Sequence, residues 1–191
     1  MKDRAYAKIN LCLYVAGARE DGYHELKMIM VPINFYDVLE LQPAQEMEMI
    51  SNRSYLPADD HNTIVKAIHA MQKRYGFDMN FRCTLQKHIP TRAGLGGGSA
   101  DAASAIRMIN KMLRLNMSRD EMIEVGREVG SDVPFCLINK PALVEGTGDK
   151  IQEFDCHPDF ELLLVKPRKG VSTKECFRLV DSMEADHPDC L

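Results

Sequence analysis

The chain has 191 residues, 45% of them hydrophobic and 27% charged, a balance that excludes disorder and suffices for one core and part of another. Its formal net charge of −4 argues against general affinity for nucleic acid or an anionic membrane, so any anion site must be local. No apolar run reaches membrane length, and the six scattered cysteines, lacking a C-x-x-C pair, read as reduced thiols in a cytoplasmic protein.

Residues 5–15 alternate strictly, which predicts a strand and no signal peptide. Ala5, Ala7, Ile9, Leu11, Leu13 and Val15 share an inward face, while Lys8 and Asn10 point together from the other. Asp21-Gly22 marks a turn, ELKMIMVPI reads as the return strand, and DVLELQ as a further short strand. DHNTIVKAIHAMQKRYG carries Ile64, Ile68, Met71 and Tyr75 at helical spacing, with Asn62 or Asp60 as cap and Gly76 as stop. FRCTLQKHI alternates again, with Phe81, Cys83 and Leu85 inward. After a glycine loop comes a helix with Ala102, Ile106, Ile109 and Leu113 on one face. SRDEMIEVGREVG then opens with a capping box, Ser118 and Glu121, and ends on Gly130. SDVPFCL reads as a short helical start, PALVEGTGDKIQEF as a hairpin, FELLLVKP as an apolar strand opening a new unit, and STKECFRLVDSM as a helix. Strands and helices do not alternate regularly, which predicts an α+β fold.

The stretch IPTRAGLGGGSADAASAI places four glycines within five residues and then enters an alanine-rich helix. Glycines let backbone N–H groups converge, and a helix N-terminus adds more donors and partial positive charge, so the physics points to a nucleotide triphosphate. A P-loop is excluded because no Gly-Lys-Ser/Thr follows. A dinucleotide fingerprint is excluded because Ser99 takes the place of its last glycine. A tight turn alone needs only one glycine.

This stretch resembles the phosphate-binding motif of the GHMP kinases. AYAKINLCLYV, REDGYHEL, DHNTIVKA, GSDVPFC, GTGDKI and KPRKGVSTKECF resemble, in order, segments of the branch acting on a cytidine-diphosphate methylerythritol. The resemblance implies a GHMP-kinase N-terminal domain over 1–154, with a ribosomal protein S5 domain 2-like mixed sheet and helices on one face. Residues 155–191 would begin a C-terminal domain cut short, which could let the chain self-associate. It implies ATP with Mg²⁺ as cofactors, though no carboxylate cluster marks a metal site. It also implies phosphorylation of the substrate's 2-hydroxyl in the non-mevalonate route to isoprenoids. Another GHMP kinase, an inactive truncated fragment, or an RNA-binding S5-like domain are the alternatives; the negative charge and lack of basic clusters oppose the last.

Carried over residue by residue, the resemblance places the nucleotide on Pro90, Thr91, Arg92, Ala93, Gly94, Leu95, Gly96, Gly97, Gly98, Ser99 and Ala100, with Asn62 on the adenine side. Ala100 stands where the family usually has a second serine. Lys8 and Asp132 become the catalytic pair, in which a lysine beside the aspartate favours a carboxylate able to accept or orient the hydroxyl proton. Read without the family, Asp132 could equally cap the short helix after it. Asn10, Tyr23, His24 and Phe177 are assigned to the substrate, with the two aromatics stacking on cytosine and His24 hydrogen-bonding its edge; unaided, Tyr23 and His24 read equally as hairpin packing.

Overall fold

The computed structural model describes residues 1–20, 22, 24–148, 150–156, 161–167 and 172–182. In chain order the elements are β1 (Lys2–Ala18), β2 (His24–Ala44), β3 (Glu48–Ser51), α1 (Thr63–Tyr75), β4 (Asn80–Gln86), α2 (Gly97–Leu113), α3 (Arg119–Val129), α4 (Val133–Ile138), β5 (Ala142–Gly146), β6 (Lys150–Glu153) and α5 (Thr173–Asp181). The sheet is mixed. β2 pairs antiparallel with β1 along one edge and with β4 and β5 along the other, β3 runs parallel to β4, and β6 closes a hairpin with β5.

The two strands expected over residues 25–42 form one, β2, which passes through Pro32. Between the pairs Tyr6↔Tyr36 and Lys8↔Pro32, β2 advances four residues while β1 advances two. A proline that would break a regular ladder is tolerated at such a bulge. The same irregularity corrects the expected face of β1. Ala7 and Lys8, although consecutive, are both buried, and a second register shift after Asn10 leaves Leu11 and Leu13 half-exposed.

Local signals set the helices. Asn62 Oδ1 accepts from Ile64 N at 2.9 Å and caps α1, and Gly76 ends that helix at φ 67°. Ser118 and Glu121 form the capping box of α3. Leu39, Leu41, Phe81, Cys83 and Leu85 occupy alternate positions, so one sheet face meets Ile64, Ile68 and Met71 of α1 and the buried side of α2. Buried apolar side chains of this kind each stabilise the fold by about 1.5–3 kcal/mol. Met28, Met30 and Met108 fill this core, and Met112 and Met122 pack at its margin.

Two expectations fail. Residues 161–167 form no strand; Leu163 is 89% exposed and Val165 79%, and among the described residues no neighbouring strand offers them a ladder. Cys12, on β1, is disulfide-bonded rather than reduced, because sequence spacing carries no information on which sulfurs a fold brings together. Cys83 and Cys136 are buried free thiols, both pushed up to about 12 by that burial and so unreactive.

Candidate active site

The loop from β4 into α2 passes through three left-handed residues, Arg92 (φ 54°), Gly94 (φ 72°) and Gly96 (φ 65°). The first helical hydrogen bond of α2 runs from Ala100 N to Gly96 O at 2.8 Å, so the N–H groups of Gly97, Gly98 and Ser99 precede the helical ladder and are available to a ligand. Ala100 itself is buried and its N–H is engaged, so it is set apart from the other loop residues assigned to nucleotide.

The glycines also answer to two lysines. A Cβ on Gly96 would lie 2.8 Å from Lys8 Cγ; one on Gly97 would lie 2.8 Å from Ile89 Cγ2 and 2.9 Å from Lys87 Nζ. Side chains are thus excluded at these two positions by what lies beneath the loop as well as by what approaches from the cleft. On the α1 side, Thr63 Oγ1 donates to Gly98 O at 2.7 Å.

Two clefts share the loop as a wall. One, of about 580 Å³, is lined by Pro57, His61, Asn62, Thr63 and residues 90–99. Asn62 is committed to the scaffold on this side, because its Nδ2 donates to Pro57 O at 2.8 Å while its Oδ1 caps α1. The other cleft, of about 820 Å³, is more apolar and is lined by Leu13, Val15, Phe35, Arg92, Leu95, Leu164 and Phe177.

Lys8 touches the loop where the clefts meet. Its backbone N–H donates to Leu95 O at 3.0 Å, and its side chain, 9% exposed, runs under Gly96. Lys8 Nζ lies 3.5 Å from Asp132 Oδ2 and donates to Asn10 Oδ1 at 3.3 Å, while Asn10 Nδ2 is 3.6 Å from Met28 Sδ. Asp132 occupies the N-cap position of α4 but makes no side-chain cap bond. Its carboxylate is turned to the lysine instead, against the capping alternative.

At the far end of the apolar cleft, the His24 ring stacks on Phe177 with centroids 4.4 Å apart and planes at 15°, and His24 Nε2 is hydrogen-bonded to Asp181 Oδ1 at 2.8 Å. The two residues assigned to cytosine therefore meet face to face; a base would stack outside this pair, not between its members. Tyr23 lies outside the described residues.

One cluster was missed by sequence reasoning. Lys87 Nζ is 2.5 Å from Asp37 Oδ2 and 2.5 Å from Asp101 Oδ2, with all three side chains buried beneath the loop. Burial opposes the lysine's charge, but the two carboxylates outweigh it and hold its pKa above the ordinary value. Burial, against the pull of Lys87 and with the push of Asp37, raises the Asp101 carboxyl to about 7. The available signal was a lone acid within the apolar run of α2.

Residues 62–140 match the family model for the GHMP kinases N terminal domain. A curated relative from Clostridium beijerinckii, 4-diphosphocytidyl-2-C-methyl-D-erythritol kinase, is 43% identical over 98% of this chain and 68% of its own length. The chain belongs to the 4-diphosphocytidyl-2-C-methyl-D-erythritol kinase family. A second member, from Caldicellulosiruptor bescii, is 40% identical over 95% of the chain and 64% of its own length. The chain thus spans about two thirds of these kinases. A crystal structure of 4-(cytidine 5'-diphospho)-2C-methyl-D-erythritol kinase superposes with a TM-score of 0.69 at 32% identity, over 81% of this chain and 55% of that one. Among the described residues no helix is long and apolar enough to cross a membrane.

Proposed function

We propose that the chain transfers the γ-phosphoryl group of ATP to the 2-hydroxyl of 4-diphosphocytidyl-2-C-methyl-D-erythritol, giving the 2-phosphate and ADP. The observation that carries this reading is the shared wall: a polar cleft and an apolar cleft lie either side of one glycine loop, Lys8 bonds to Leu95, which lines both, and Asp132 sits beside the Lys8 ammonium. In this reading the triphosphate accepts hydrogen bonds from Gly97, Gly98 and Ser99 N–H, and the purine lies towards Asn62 and Pro57. The cytidine end runs along the apolar cleft to His24 and Phe177.

Asp132 takes the proton of the acceptor hydroxyl as the new O–P bond forms and the bond from the γ-phosphorus to its bridging oxygen breaks, releasing ADP. Lys8 sits beside both the carboxylate and the loop, where it orients the first and meets the charge of the transferred group. Mg²⁺ would supply further charge neutralisation. Among the described residues no three His, Cys, Asp or Glu side chains converge as a metal site. Residues 1–154 form the ATP-binding unit in this proposal and 155–191 begin a second one; among the described residues every core side chain lies before residue 152. A cytoplasmic location belongs to the same proposal, since its substrates are soluble metabolites.

The test is ADP release by the purified protein with 4-diphosphocytidyl-2-C-methyl-D-erythritol, mevalonate or homoserine as acceptor. Release with the cytidine compound alone is expected. Release with one of the others instead would assign a different GHMP kinase activity.

A further inference from the structure

The buried cluster beneath the loop links three parts of the chain. Asp37, on β2, divides its carboxylate: Oδ2 holds Lys87 Nζ, and Oδ1 accepts from His88 N at 2.6 Å and Ile89 N at 2.8 Å, where the chain leaves β4 for the loop. The same ammonium reaches Asp101 Oδ2 in the early part of α2, and Asp101 Oδ1 has no hydrogen-bond partner. Among the described residues the Asp101 carboxyl is therefore held by Lys87 alone. Gly97, the first residue of α2, rests directly on Ile89 and on this ammonium.

We propose that Lys87 is a positioning residue for the glycine loop: gripped by Asp37 and Asp101, its ammonium holds the first turn of α2 where the loop's free N–H groups face the polar cleft. Lys87 and Asp101 also line the polar cleft, yet the positioning needs no contact between them and the nucleotide. A lysine pinned at both sides has little rotational freedom left, so the height of Gly97 above the sheet is fixed before any ligand arrives. Removing that freedom in advance lowers the ordering cost of binding. An apolar core at this position would pack α2 but would not tie it at one point to the start of the loop and to β2 together.

The inference rests on the nucleotide reading of the polar cleft only for its ligand readout; the positioning itself is measured without ligand. Asp101→Leu cuts the grip and leaves a neutral Lys87–Asp37 pair. Asp101→Ser, smaller and too short to reach the ammonium, makes the same cut without apolar bulk, and Asp101→Asn keeps an acceptor for it. Amide hydrogen exchange at residues 100–103 of the unliganded protein should quicken at least tenfold in the Leu and Ser variants, while α3 and β4 stay unchanged. The ATP dissociation constant should rise at least tenfold, that of cytidine diphosphate should hold, and Asp101→Asn should recover most of both losses. Exchange at 100–103 as slow as in the parent protein would overturn the inference, as would losses spread evenly through the domain or an Asn variant as poor as the Leu one. Failure of the parent protein to bind ATP would refute the nucleotide reading, and the exchange data would still decide this one.

Discussion

Asp132→Asn isolates the chemistry of the site, because the structure separates the two roles this residue could have. The change keeps the shape of the side chain and removes its charge and its capacity to take a proton. A capping aspartate would cost about 0.5–2 kcal/mol of stability when lost. Asp132 makes no cap bond, so that penalty is absent. The pair with Lys8 is 3.5 Å long and the Asp132 side chain is 35% exposed, so solvent screening leaves about 1 kcal/mol or less at stake. Lys8 also keeps its bond to Asn10. The fold should therefore survive with a small fall in melting temperature. Turnover, by contrast, should drop by about 10²-fold or more, roughly 2.7 kcal/mol on the barrier, with ATP affinity unchanged. Coupled ADP-release kinetics on the parent protein, Asp132→Asn, Lys8→Met and the double variant would show it. The double variant should be little worse than either single one, as expected for groups acting together. Turnover within threefold of the parent, or a loss matched by an equal fall in ATP affinity, would refute the assignment.

Gly97→Val should abolish measurable ATP binding and cost about 1–3 kcal/mol of stability by overpacking, since its Cβ meets Ile89 and Lys87; unchanged ATP affinity by calorimetry would contradict the cradle. His24→Ala should weaken cytidine-ligand binding by about 1–3 kcal/mol and leave ATP affinity alone, with α5 loosened because the Phe177 stack and the Asp181 bond are lost; parallel loss of both ligands would point to general collapse. Because the Asp101 carboxyl is raised in the folded state to about 7, well above its unfolded value, the native protein binds the extra proton between these values, and this group's contribution to stability falls as pH climbs from about 4 to about 7. Urea titrations across that range should show a shallower decline for Asp101→Asn; identical pH profiles would remove Asp101 as the source.

The helices and the glycine loop were legible because their signals are local. Asn62, Gly76, Ser118, Glu121 and Gly130 mark ends within a few residues of the segments they bound. The pairing of Lys8 with Asp132 was reached only through the family resemblance, since 124 positions of sequence hide a contact that the fold makes at 3.5 Å. What stayed hidden depends on register and distance. The return strand was expected to end at Ile33 and DVLELQ to stand apart, yet the two form one strand whose bulge opposite Lys8 absorbs Pro32. Strict alternation placed Leu11 and Leu13 inward, but a single extra residue on one strand reverses the face that follows. Residues 161–167 have the composition of a strand but, among the described residues, no neighbouring strand to pair with. Asp37, Lys87 and Asp101 read as three ordinary charges until the fold puts them in one buried contact.

The seating of Gly96 on Lys8 and of Gly97 beside Lys87 makes these positions two interlocked pairs. An alanine at either glycine collides with the lysine stem or head below it while that lysine is present. A lysine shortened first leaves a gap under the loop and removes a charge that its carboxylate partners require. Single substitutions are therefore penalised from both directions, and only a simultaneous exchange of the two members opens an alternative packing. Across the divergence of this family, variation at 97 should follow variation at 87, in correlated steps. Packing against these neighbours thus constrains the glycines in addition to any demand made by a ligand.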